Sequence, residues 1–402
     1  MIPYYLFFMF FGLGASLEYV RKDDHKVQLL KRLMITVGLF IILFFVGFRY
    51  KIGSDWAVYL QGYNEVVPLG QLLGGKNLNF SDDFTEPGFK IVSSLCSYLG
   101  MNFFMFVFLI TVFNTFSLYY FIYRNDFRNK LVFLAIILIL TVFLEFDILR
   151  QSIAFHIVLF GFIGDRIKPV KFILLVVLAM MFHYTAIIFL LFYVFQRMKL
   201  TRKKILFLTI VYVISLFVTI PIITSILLAL KPLAGGVLSA VIEKGSNLVA
   251  NFELTRNISF TSILNLAFLC LLYMRWEKLT LTVTESTLVK MFLFYILLIS
   301  TLKEVQEVAD RFSYYYNIGI AFMFALLSSL ITFRARNKVL LIVPMLFILM
   351  RLLLHFRQEA IVYGQTPYRN YFFMDESDEL EIRMRYEKMM TIKQAENEGK
   401  KD

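Results

Sequence analysis

The chain has 402 residues, of which 59% are hydrophobic and 17% charged, against roughly 45–50% and about 25% in an ordinary soluble domain. With 45 Phe, 22 Tyr and a mean hydropathy of +0.71, an ordinary soluble enzyme, a disordered chain and a disulfide scaffold are excluded, leaving an all-α, polytopic integral membrane protein. The net charge of +12 is not a nucleic-acid signal: the basic residues cluster in short turns between apolar runs, where membrane orientation is written.

Apolar runs fall near residues 3–20, 33–48, 101–122, 131–146, 149–164, 170–182, 184–195, 205–230, 259–274, 287–302, 314–333 and 338–354. They are continuous rather than alternating, which disfavours a barrel and gives about 12 transmembrane helices. The first run lacks a small-residue cleavage site and reads as a retained helix. A span takes about 20 residues and at least roughly 17, so several runs are short. The stretch around His183 stays open between two short helices and one span of 25 residues. Turns at 21–32, 123–130, 165–171, 196–204, 275–278 and 334–338 hold 21 Lys/Arg. The loops at 49–90, 147–150, 230–258, 303–311 and 355–374 hold 12, although they are longer in total. The basic turns therefore face the cytoplasm. Alternation closes with twelve crossings and both termini outside, provided 170–182 and 184–195 count as a pair.

Residues 1–374 read as a single transmembrane domain with outer loops near 49–100 and 231–258. Glu86-Pro87-Gly88 suits a helix start and places an amphipathic helix over 87–99 at the outer surface. Gly235, Gly236 and Gly245 make 231–258 irregular. The 375–402 tail has nine Asp/Glu and six Lys/Arg, with Leu380, Ile382, Met384 and Met389 interspersed. It reads as a surface helix without a catalytic role. Cys96 and Cys270 read as small buried hydrophobes. Four scattered histidines give no metal-ligand spacing, and Gly74-Gly75-Lys76 lacks the context of a phosphate loop. No metal, nucleotide or other cofactor is expected.

Ionisable residues near spans are costly and usually have a reason, and here they gather on the expected outer side. Arg49 ends Gly47-Phe48-Arg49 and is followed by Gly53-Ser54-Asp55-Trp56 and Tyr59. Asp55 and Tyr59, four apart, share a face if this piece is helical. Glu86, then Asp147, Arg150 and Gln151, then His183 come next. Glu304, Glu307, Asp310 and Arg311 precede Tyr314-Tyr315-Tyr316, and Tyr368 follows Pro367. Arginines grip phosphate oxygens with a planar fork. A His or carboxylate takes a proton from a hydroxyl, and aromatic rings offer sugars flat apolar surfaces. Together they read as one chamber for an anionic lipid-linked substrate with a polar head. Plainer readings stand beside this one. Arg351 and Arg357 suit snorkelling to headgroups. His156, His355 and His183 suit a satisfied core, and His25 a surface turn. Tyr314–Tyr316 suits an interfacial belt, and Asp55 a helix cap.

These residues resemble, in order, the motifs of the EpsG/Wzy-type family of bacterial polysaccharide polymerases, from about residue 40 to 373. Gly47-Phe48-Arg49, Gly53-Ser54-Asp55 and Tyr59 resemble its Gly-x-Arg, Gly-x-Asp and Tyr stretch, with Trp56 where a Tyr is commoner. Glu86-Pro87-Gly88-Phe89, Leu149-Arg150-Gln151 and Phe182-His183-Tyr184-Thr185-Ala186 resemble three further segments. Arg311 with the tyrosines, and Pro367-Tyr368, resemble the late elements. The resemblance implies a GT-C-like polymerase/ligase architecture in the bacterial inner membrane. It implies transfer of a glycan from undecaprenyl pyrophosphate to a sugar hydroxyl of a new lipid-linked unit, for O-antigen, capsule or exopolysaccharide. On it, His183, Asp55 and Glu86 are the catalytic candidates, Asp55 and Glu86 orienting acceptor hydroxyls or holding an Arg. Arg150 and Arg311 are the choices for pyrophosphate, and Arg49, Tyr59, Gln151, Tyr315 and Tyr368 complete the substrate site. Implied partners are lipid-linked glycans, membrane lipids, and a flippase and chain-length regulator of the pathway. The competing functions are a lipid-linked oligosaccharide flippase, a membrane O-acyltransferase and a non-catalytic export subunit.

Overall fold

The computed structural model describes residues 1–19, 25–67, 69–73, 86–164, 167–218, 259–303, 306–331, 336–375 and 378–398. The expected 231–258 loop, the glycine–lysine step at 74–76 and Glu304 lie outside them, as does the side chain of Glu307. Among the described residues the chain is all-helical, with no strand and one isolated antiparallel bridge, between Arg49 and Asn370.

Three described helices are long and apolar enough to cross a membrane: His25–Gly47, Phe103–Arg124 and Val283–Thr301, of 23, 22 and 19 residues. Shorter apolar helices are Leu149–Phe162, Pro169–Met180, Tyr184–Phe195, Asn317–Leu330 and Ile342–His355. Their packing suits lipid. In Pro169–Met180 the residues Phe172, Val176 and Ala179 are buried, whereas Val170, Ile173, Leu174, Val177 and Leu178 face out. In water each exposed side chain of this kind forgoes about 1.5–3 kcal/mol of burial; against acyl chains it does not. Around His183 the chain is two helical pieces, Pro169–Met180 and then Tyr184–Ile187 running into Ile188–Phe195.

The chain divides into two compact units, Met1–Leu190 with Arg334–Glu396, and Leu191–Phe333 with Asn397–Asp402. The first is built on Lys130–Glu145, a helix apolar all round and buried from Leu131 to Phe143. Ile2–Ser16 and Arg336–His355 pack on it, while Phe103–Arg124 packs on Leu149–Leu159. Asn114 Nδ2 donates to Ser152 Oγ at 3.0 Å, and Ser117 Oγ to the His156 carbonyl at 2.7 Å. His156 is a core histidine whose ring meets the Ser152 carbonyl at 2.8 Å, while the half-buried His355 meets Gln365 Oε1 at 2.7 Å and stacks on Phe143. Cys96 is buried as expected; Cys270 instead faces out from its helix, Phe260–Arg275.

In the second unit Val283–Thr301, opened by a Thr282/Glu285 capping box, packs on Asn317–Leu330. Gly319 lies so close to the backbone of Met291 and Phe292 that no Cβ fits there, the close approach that small residues give packed membrane helices.

Candidate functional site

The second span ends in a π-helical turn, Leu43–Gly47, which takes backbone carbonyls out of the regular ladder. Three successive carbonyls are met by side chains. Asn370 Nδ2 donates to Phe44 O at 3.1 Å, Tyr368 Oη to Phe45 O at 2.7 Å, and Arg49 Nη1 to Val46 O at 2.7 Å. Arg49 Nη2 also donates to Glu145 O at 3.4 Å, and its guanidinium lies over the Phe146 ring. The Tyr50 N–H donates to Arg369 O and the Tyr371 N–H to Phe48 O, while Tyr368 stacks on Phe45 at 4.3 Å. Arg49 and Tyr368, expected as substrate contacts, thus close the end of this helix. Burial lowers the Arg49 pKa to about 10 against the opposing pull of Glu145 and Asp147, which leaves it cationic at neutral pH.

The next loop depends on Gly53 and Asp147. Gly53 has φ of +107°, and a Cβ there would strike the Asp147 carboxylate. The glycine allows this left-handed conformation and lets Asp147 Oδ1 accept the N–H groups of Ser54 at 2.5 Å and Asp55 at 3.3 Å. Burial raises the Asp147 pKa, and the Asp55 charge adds to it, against the Ser54 and Asp55 amides and Lys393. Asp55 precedes the helix Trp56–Asn64, makes no side-chain cap, and keeps its carboxylate exposed, accepting from Ser54 Oγ at 3.1 Å. The Tyr59 N–H donates to the Asp55 carbonyl at 3.0 Å, the one-turn relation expected from their spacing.

One turn along that helix, Tyr59 reaches the charged centre of the site. Arg150 forms an ion pair with Glu86, and its guanidinium lies 5.9 Å from the Tyr59 ring centroid. Tyr59 and Arg150 are also hydrogen-bonded. Burial raises the Tyr59 phenol against the pull of Arg150. Glu86 is buried at the start of Pro87–Tyr98, the helix expected over 87–99. Gln151, next to Arg150, is buried in Leu149–Leu159. Arg150 therefore pairs with Glu86, while Asp147, three residues before it, accepts from backbone amides.

Gly88 ties this centre to the His183 break. Its N–H donates to the Met181 carbonyl at 2.7 Å, where a Cβ would collide. His183 caps the following turn: its Nδ1 accepts the Thr185 N–H at 3.3 Å, with Thr185 Oγ1 at 2.7 Å. A backbone N–H only donates, so a neutral ring accepting at Nδ1 carries its proton on Nε2.

Asp55, Tyr59, Glu86, Arg150, Gln151 and His183 thus belong to one unit, as do Arg49 and Tyr368. Arg311 and Tyr315 belong to the second unit. Arg311 is exposed on Gln306–Tyr314, while Tyr315 is fully enclosed. Asn370 is absent from the sequence-derived site, and Asp147 stood in the expected chamber without a role of its own. Asp147 was visible there only as a neighbour of Arg150, and Asn370 only as the polar residue two places after Tyr368. Among the described residues no group of three or more His, Cys, Asp or Glu is placed to hold a metal ion.

An all-helical protein with outward-facing apolar helices and a carboxylate–guanidinium–phenol centre is a membrane protein with a built polar site. Its family follows from comparison with known proteins: the EpsG family model matches residues 32–370, and the chain belongs to that family. This is a polysaccharide polymerase-type family, so the protein is a polymerase-type enzyme of polysaccharide biosynthesis. No curated protein and no solved structure shows significant similarity to the chain.

Proposed function

We propose that the protein polymerises undecaprenyl-pyrophosphate-linked repeat units at the outer face of the bacterial inner membrane, as a Wzy-type glycosyltransferase. A hydroxyl oxygen of the incoming unit bonds to the anomeric carbon of the growing chain. The bond from that carbon to the pyrophosphate oxygen breaks, the lipid pyrophosphate departs, and the hydroxyl proton passes to a carboxylate. The observation that carries this reading is the Glu86–Arg150–Tyr59 centre within the family match. Arg150, oriented by Glu86, meets the pyrophosphate where negative charge develops, and Arg311 is the second candidate for that role. With its proton on Nε2, His183 suits a hydrogen-bond donor to pyrophosphate better than a base. The proton then falls to Asp55, whose carboxylate is exposed, while Glu86 is engaged by Arg150.

The proposed architecture has about twelve crossings, GT-C-like, with the shorter apolar helices completing the bundle. Glu379 bonds Lys51 at 2.5 Å, so the two lie on one side of a membrane and an even number of crossings separates them. The paired reading of 170–195 gives ten crossings between them and the single-span reading nine, which supports the pair. A one-sided ionisable site favours a polymerase over a flippase, whose cavity must open to both faces.

The test is purified protein given lipid-linked repeat units in the presence of a chelator. A ladder of longer glycans with released undecaprenyl pyrophosphate is expected. No ladder, or one that needs a divalent ion, contradicts the proposal.

A further inference from the structure

The family match ends at residue 370, and the charged helix Asp378–Glu398 lies beyond it. Yet this helix is docked along the loop that carries Asp55. Its buried side chains Ile382 and Met389 are seven residues apart, two turns on one face. Met389 lies against Gly364, whose carbonyl accepts the Gly53 N–H at 3.1 Å. Glu379 accepts from Tyr50 Oη and from Lys51 Nζ, and Glu381 pairs with Arg369 at 2.8 Å.

In the middle of the helix Tyr386 meets Trp56 at a corner, ring centroids 5.1 Å apart and planes at 64°. Lys51 Nζ lies 5.4 Å from the indole centroid. Trp56 and Tyr386 are both half-buried, so part of each ring stays open, and the exposed Asp55 precedes Trp56 directly. Burial, then the charges of Asp55 and Asp147, raise the Tyr386 phenol, which remains a hydrogen-bond donor at neutral pH.

We propose that Trp56 and Tyr386, flanked by Asp55 and Lys51, form a glycan-binding subsite for the incoming repeat unit, completed by the C-terminal helix. It rests on the polymerase reading above. A sugar ring has apolar C–H faces and polar hydroxyl edges. Two rings at an angle give the faces a corner to pack in, and a carboxylate and an ammonium at the rim hydrogen-bond the hydroxyls. An interfacial aromatic belt is the plain alternative. Its rings face headgroups, whereas one ring of this corner is carried by a charged helix and the other follows Asp55 directly.

The chain has two Trp, so Trp276→Phe leaves Trp56 as the sole tryptophan reporter. The probe is a set of oligosaccharides from partial hydrolysis of the host's own polymer, titrated into the full-length protein in detergent; inorganic pyrophosphate is the control. A saturable change in Trp56 emission with the oligosaccharides and none with pyrophosphate is expected. Tyr386→Ala weakens this binding at least fivefold, and Tyr386→Phe leaves it within twofold. Tyr386→Leu, which keeps the apolar contact with Trp56, behaves as Ala if Ala fails to fold. No response of Trp56, or unchanged binding in the Ala and Leu variants, overturns the subsite. Glycan binding without polymerisation of lipid-linked units would overturn the reaction and leave the subsite standing. Polymerisation with an unresponsive Trp56 would do the reverse.

Discussion

Two groups of residues in the first unit are bonded in different ways. Around the π turn, Arg49, Tyr368 and Asn370 point their polar atoms at backbone: three side chains, three consecutive carbonyls. Around Glu86, the polar atoms of Arg150 and Tyr59 point at one another, at the head of a helix whose partner is the His183 break. On the proposed reaction, the difference separates scaffold from chemistry. A side chain committed to a carbonyl gains its stability from a fixed partner. In the proposed reaction, a charge-paired side chain such as Arg150 exchanges that partner for a substrate oxygen.

If that division holds, substitutions in the first group lower stability and leave activity per folded molecule intact, while those in the second do the reverse. The largest expected effect on stability is Arg49→Ala. It leaves the Val46 and Glu145 carbonyls without their donor, and an unsatisfied buried acceptor costs about 1–3 kcal/mol. A loss of about 3 kcal/mol in unfolding free energy is expected, with the surviving folded protein active. A folded but inactive Arg49→Ala protein would move Arg49 into the chemical group.

His183 sharpens the second group. A donor role is met by the amide of His183→Gln, and a base role is not. We expect His183→Ala to lose about tenfold in rate, equivalent to about 1.4 kcal/mol of barrier, and His183→Gln to stay within about threefold of wild type. Equal loss in the two variants, with the acid limb of the pH–rate profile abolished, would restore the ring as a base.

A smaller effect belongs to Tyr368→Phe, which removes the bond to the Phe45 carbonyl but keeps the stack on the Phe45 ring. About 1 kcal/mol of stability and no change in activity are expected from thermal unfolding and rate measured on the same preparation.

The smallest is the pH dependence of tail docking. Burial alone would raise the Glu379 carboxyl; the bonds from Lys51 and Tyr50 and the Lys51 charge outweigh it and hold it below its ordinary 4.5. A carboxyl depressed on folding stabilises fully above its unfolded value, and that stabilisation fades as pH falls through the folded one. Docking should therefore be constant at neutral pH and weaken only below about 4.5, by less than about 1 kcal/mol for so exposed a pair. Proteolytic sensitivity of the tail across that range reads it, and Glu379→Gln should flatten the response. Weakening that begins near pH 6.5 would point to a histidine instead.

Much of the helical framework was legible in the sequence, because continuous apolar runs and a Pro at a helix start are local signals. The amphipathic 87–99 segment was readable for the same reason, whereas the stretch around His183 stayed open between two helices and one span because both readings are equally apolar. The bonds that define the site were not readable, because they are long-range. Nothing near Arg49 in sequence announces Asn370 as the partner of its bridge, and nothing in a π turn's residues distinguishes Leu43–Gly47 from more α-helix. By spacing alone Asp147, three residues before Arg150, is the carboxylate nearest to it in the sequence. Instead the helix start turned Arg150 toward Glu86 and left Asp147 to the Gly53 loop. The tail read as a solvated charged helix because its apolar residues are few. Two of them, Ile382 and Met389, suffice to seat one face.

The most direct test of the central claim is the polymerisation rate per folded molecule of Arg150→Ala, with purified protein and lipid-linked repeat units and with Arg49→Ala measured alongside. The account predicts that Arg150→Ala is folded and at least about tenfold slower. It also predicts that Arg150→Lys rescues poorly, for want of the planar fork, and that Arg49→Ala is less stable but near wild-type rate once corrected for folded fraction. Near-normal specific activity of Arg150→Ala would contradict it, and would place the Glu86–Arg150 pair with the scaffold.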